Sequence, residues 1–203
     1  PTGAPLEKGL RGVPVNVLLW YYYTLIALHK LLEQTMAEFD THTSNTLHQE
    51  HSAVAEFLQR FESRLAQHAV DRPPDPADSS FTLLLVDLLA IVETELIPHF
   101  RFEEAELFPI LLEAGAADLC GLLQEEHDVI LPIAARLCEY ARTARQRGHG
   151  VDDWNRFRRD GLTLVENLSG HIDKEEMSLV PLLDEILDEE QDLRLTDSYV
   201  AMR

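Results

Sequence analysis

Apolar positions along this chain recur at helical spacing. Leu47, Val54, Phe57, Leu58, Phe61 and Leu65 fall three, four and seven apart, which is the stripe of an amphipathic helix and not the alternation of a strand. The spacing predicts a helix ending near residue 69 and three more over about 81–113, 118–147 and 152–187. A further helix is expected over 13–38. Trp20, Tyr21, Tyr22 and Tyr23 make it apolar on most faces, so it should bury itself against the rest of the protein or against a second copy, giving a homodimer. Its apolar run is short for a membrane span, contains Pro14 and Asn16, and continues in helical pattern through His29 and Lys30 with no small-residue cleavage site. It is therefore read as neither signal nor anchor.

Breakers separate these runs. Asp40-Thr41-His42-Thr43-Ser44 is rich in helix-capping residues, and Asp71 to Asp78 holds three prolines and must be a loop. Gly115 and Gly148-His149-Gly150 mark two short turns. No run reads as a strand. The expected fold class is all-α, an antiparallel four-helix bundle with an additional N-terminal helix. The expected division is 1–40 (a loose arm to residue 12, then the aromatic helix), 41–187 (the bundle) and 188–203 (an acidic tail that frays).

With 203 residues, 45% of them apolar, the chain can bury a sizeable core. A formal net charge of −19 argues against nucleic acid or an anionic membrane surface as partner, because both would repel it. Cys120 and Cys138 lie on one expected helix, about 27 Å apart at about 1.5 Å per residue, and cannot bridge each other. Two unpaired thiols suit a reducing compartment, and a cytoplasmic location is expected.

The chemistry lies in a repeat. His99 to Pro109 and His171 to Pro181 both read HxxxEExxLxP, and Leu47-His48-Gln49-Glu50-His51 is echoed by Leu123-Gln124-Glu125-Glu126-His127. On a helix, residues four apart share a face. His99 with Glu103, and His171 with Glu175, can each offer an imidazole and a carboxylate to one centre, while His51 and His127 come from the other two helices. Imidazole plus carboxylate suits non-haem iron. Four imidazoles and two carboxylates would fully engage two metals bridged by the carboxylates. Pro98 and Gly170 precede the two HxxxE histidines, and a local kink at each is expected to aim the ligands inward.

This ordered pattern resembles the hemerythrin family in its H–HxxxE–H–HxxxE form (the HHE cation-binding domain), over roughly residues 44–187. The resemblance implies a centre of two non-haem iron ions with a bridging oxo or hydroxo group. The ligands it carries over are His51, His99, Glu103, His127, His171 and Glu175. Two departures from the oxygen-carrying members stand out. The position of their fifth histidine, one turn beyond His127, is Leu131. Their last carboxylate falls at Glu176, whereas the repeat favours Glu175, the counterpart of Glu103. A less saturated centre is expected to react with dioxygen or peroxide, as an oxidase, an oxygenase or a peroxide-decomposing protein. The alternative is non-enzymatic binding, sensing or storage of dioxygen, nitric oxide or iron. A small organic substrate would fit the first reading, and no residue pattern names one.

The remaining polar residues receive plainer readings. Glu50, Glu125 and Glu126 are expected on a solvated face. Glu104 and Glu176 are read as solvated or as orienting a ligand or Arg101. His48, three residues before His51, is within reach of the site; His29, His42, His68 and His149 read as surface or turn residues. Phe57, Phe100, Phe102 and Phe108 are expected to form an apolar shell around the metals.

Overall fold

The computed structural model describes residues 39–75, 77–147 and 150–202; the expected arm and aromatic helix, with His29, and the turn residue His149 lie outside them. Helix α1 is His42–Ala66. Helix α2 runs over 79–113, its α-helical stretches Ser79–Ala90, Ile97–Phe102 and Phe108–Glu113 separated by π-helical turns at Ile91–Leu96 and Glu103–Leu107. Helix α3 is Ala117–Arg147. Helix α4 runs over 151–186, with one π-helical turn at Glu175–Leu179. Helix α5 is Glu189–Met202. Helices α1 to α4 form the expected antiparallel bundle, with no strand among the described residues.

Local chemistry sets the helix ends. Thr41 caps α1 by accepting from Ser44 N–H, and Asp78 caps α2 by accepting from Ser80 and Phe81 N–H. Gly115 has a φ of 87° and makes the tight turn between α2 and α3. The three π-helical turns share a cause. Each is followed within two residues by a proline: Pro98, Pro109 or Pro181. A proline ring clashes with the carbonyl four residues back and offers no N–H to it. Widening the preceding turn to i→i+5 bonds, as in Phe108 N–H to Glu103 O and Val180 N–H to Glu175 O, accommodates the ring.

This corrects one expectation. Gly170 causes no irregularity: α4 is regular from Val151 to Lys174, and the break falls after His171, at Glu175.

The acidic tail is helical among the described residues, as α5. Asp188 and Gln191 form a reciprocal cap, Gln191 N–H to Asp188 Oδ1 at 2.8 Å and Asp188 N–H to Gln191 Oε1 at 3.2 Å. Leu195 and Tyr199, one turn apart, are buried against the bundle. Asp192 reaches across to the start of α1, where its two oxygens accept from the N–H groups of His42 and Thr43, both at 2.8 Å. That satisfies two donors a helix N-terminus otherwise leaves open.

Among the described residues the core falls into two apolar clusters. One holds Phe57, Phe61, Phe81, Trp154 and Phe157. The other holds Leu47, Phe102, Leu107, Phe108, Leu179 and Leu183, and Leu195 and Tyr199 of α5 join it. Gly161 lets α4 approach α1, since a Cβ there would stand 2.7 Å from Leu65 Cδ1. The polar residues described next lie between the two clusters along each helix: His51 between Leu47 and Val54, His127 between Leu123 and Ile130.

Candidate metal centre

Six polar side chains that should avoid an apolar interior converge there: His51, His99, Glu103, His127, His171 and Glu175 are all buried, both carboxylates at 0% exposure. Ligand atoms of His51, His99, Glu103 and Glu175 lie within 4.8 Å of one another, and so do those of Glu103, His127, His171 and Glu175. The two carboxylates belong to both groups. Glu103 Oε1 lies 3.1 Å from His99 Nε2 and its Oε2 lies 3.2 Å from His127 Nε2. Glu175 Oε1 lies 3.0 Å from His171 Nε2 and its Oε2 lies 3.1 Å from His51 Nε2. Each carboxylate thus offers one oxygen to each histidine pair.

All four imidazoles turn Nε2 inward and Nδ1 outward, and each Nδ1 meets a carboxylate. Glu50 on α1 faces His99 on α2 at 3.0 Å. Glu104 on α2 faces His127 on α3 at 2.8 Å. Glu126 on α3 faces His171 on α4 at 2.9 Å. Glu176 on α4 faces His51 on α1 at 2.6 Å. The four bonds close a ring around the bundle, one per pair of successive helices. An ionised carboxylate only accepts, so the ring places a proton on every Nδ1 and directs every Nε2 to the centre.

Glu50 and Glu126 therefore correct the expectation of a solvated face, which holds for the exposed Glu125. They were legible only as the residue before His51 and His127, a position that turns away from its own histidine and toward the next helix. Glu176 belongs to the outer ring while Glu175 lies at the centre, in accord with the repeat. His48 stays outside the cluster; its Nδ1 lies 2.7 Å from Glu176 Oε2. His68 is half-buried between Phe81 and Trp154.

The electrostatics are those of buried ion pairs. Burial works against the charged form of His51, His99 and His171, yet the carboxylates beside them hold all three above the usual histidine value. Burial would likewise raise Glu175, and the rings of His171, His51 and His99 hold it well below the carboxylate range. None of the four oxygens of Glu103 and Glu175 makes a hydrogen bond, although ring nitrogens stand close by. A buried carboxylate without hydrogen bonds is costly unless a cation takes its place among them. The donor set fits metal cations of the imidazole- and carboxylate-binding kind.

The surroundings are partly as expected. Phe100 stacks on His127 with ring centres 3.7 Å apart, and Phe108 stacks at 5.8 Å. Phe102 packs on Tyr199 instead, and Phe57 stacks on Phe61 within the apolar cluster. A cavity of about 10 Å³, the room of about one water, is lined by His51, His99, His171, Glu175, Glu50 and Glu95 among others. No described helix is long and apolar enough to cross a membrane.

The family model of the hemerythrin HHE cation-binding domain matches residues 42–183. No curated protein matches the chain.

Proposed function

The chain belongs to the hemerythrin HHE cation-binding family, and from that premise we propose that it holds two non-haem irons and reacts with dioxygen or peroxide. It takes the H–HxxxE–H–HxxxE form of the domain. His51 and His99 would hold one iron and His127 and His171 the other, with Glu103 and Glu175 each offering an oxygen to both histidine pairs. The observation that carries this reading is the orphaned state of all four central carboxylate oxygens, which face two separate histidine pairs.

Bound there, the irons would supply Lewis acidity and electrons to a small ligand. The chain's own groups do the rest. The outer glutamates fix each imidazole and raise its basicity. Phe100 and Phe108 stack on the ring of His127, and the small cavity beside His51 and His99, which Phe100 also lines, offers room for a small ligand. Leu131 is half-buried against the apolar core where oxygen-carrying members place a fifth imidazole. A centre lacking that ligand favours reaction over reversible holding.

The test is anaerobic reduction of the iron-loaded protein followed by air or peroxide. Consumption of oxidant over repeated cycles supports the reading. A stable adduct released intact under vacuum would replace it with the carrier or sensor reading.

A further inference from the structure

Helix α5 lies beyond residues 42–183, the stretch that matches the family model, yet it reaches the outer ring of carboxylates. The Tyr199 hydroxyl donates to both oxygens of Glu50. Glu50 Oε2 in turn accepts from His99 Nδ1 at 3.0 Å. Tyr199 is itself buried, its ring packed on Phe102 with centres 4.6 Å apart. Burial, with Glu50 beside it, pushes the phenol well above its ordinary value, so it stays protonated as a donor.

The other outer carboxylates have second partners drawn from the bundle. Gln124 Nε2 donates to Glu104 at 3.0 Å, Lys174 Nζ pairs with Glu126 at 2.7 Å, and His48 Nδ1 meets Glu176 at 2.7 Å. Glu50 instead meets a partner on α5, outside the stretch that matches the family model. A hydrogen-bonded carboxylate that is held in place aims the imidazole it accepts from; one that is free to turn does not.

We propose that Tyr199 is a positioning residue for His99: its hydroxyl fixes Glu50, Glu50 fixes the ring of His99, and the docking of α5 thereby governs the His51–His99 half of the centre. This rests on the two-metal reading above. The effect is one-sided, since His127 and His171 are oriented by Glu104 and Glu126, which Tyr199 does not touch.

Tyr199→Phe tests it, because the ring and its packing remain and the hydroxyl alone is lost. Anaerobic binding of ferrous iron to the full chain should show one of two equivalents weakened about 10-fold, the scale of an outer-partner loss, with the second unchanged. In the metal-free protein, the downfield imidazole N–H proton signal of His99 should exchange faster with water, while that of His127 stays put. Amide exchange over 189–202 reports whether α5 remains docked. Leu195→Ala, which loosens α5 but keeps the hydroxyl, should weaken the same equivalent.

Wild-type affinity for both equivalents in Tyr199→Phe, with an unchanged His99 signal, overturns the proposal. Faster amide exchange in α5 with an unchanged His99 signal also overturns it, since the hydroxyl would then serve only the helix. If the wild-type chain itself fails to take two irons, the two-metal reading falls, and the metal-free His99 signal still decides the role of Tyr199.

Discussion

Glu176 lies in the π-helical turn of α4, the last bundle helix, and its Oε1 accepts from Nδ1 of His51, on the first, at 2.6 Å. This bond closes the ring of four carboxylate–imidazole pairs. Glu176 is partly open to water, and the His51 ring that it orients is buried. The ring ties helix order to site geometry: an imidazole is aimed only if the preceding helix of the ring is seated.

Glu176→Ala should therefore weaken iron binding about 10- to 100-fold while leaving helix content unchanged, because a partly exposed side chain is removed without opening a core void. Competition with a ferrous chelator measures it. Unchanged affinity would show that His51 is oriented by packing alone.

Gly161→Ala probes the approach of α4 to α1. The new Cβ would meet Leu65 Cδ1 at 2.7 Å and two Phe61 ring atoms at 3.1 Å, and both neighbours are fully buried. Overpacking costs about 1–3 kcal/mol, against about 1 kcal/mol gained in helix propensity. A net loss of about 1 kcal/mol is expected, read as a lower urea midpoint. A raised midpoint would show that the two helices can part without cost.

The contact between α5 and α1 should be acid-sensitive. Burial would raise Asp192, but bonds from Thr43 and the His42 backbone hold it below its usual 3.8. A carboxyl lowered by folding stabilises the folded form above its unfolded value, and that contribution is lost as pH falls through the folded value. Protection of the amides over 189–202, taken relative to their intrinsic exchange at each pH, should fall as pH drops below about 4. Asp192→Asn should show faster exchange at neutral pH, a loss of about 1 kcal/mol on the scale of helix caps, and a flatter pH response. An identical pH response in that variant would assign the acid effect to another group.

Much of this was legible in the sequence because it obeys one-helix rules. The stripe from Leu47 to Leu65 gave α1, and the four-residue spacing of His99 and Glu103 gave a shared face. What escaped depends on contacts between helices. Glu50 and Glu126 precede their histidines by one residue, so periodicity along one helix turns them away from the centre; only the neighbouring helix explains them. The π-helical turns at Glu103 and Glu175 follow from Pro109 and Pro181, each six residues on, a signal present in the repeat, whereas the expected kinks are at Pro98, which does follow such a turn, and at Gly170, which does not. Helix α5 was hidden by its acidity, although Asp188 and Gln191 carry a capping signature and Leu195 and Tyr199 an apolar stripe.

The central measurement is iron bound per chain after anaerobic loading with ferrous iron, made on the wild-type protein and on Glu103→Ala. Two irons per wild-type chain, and loss of most of the iron in the variant with helix content preserved, are the predicted results. One metal or none in the wild type, or two retained without Glu103, would contradict a pair of irons bridged by the central carboxylates.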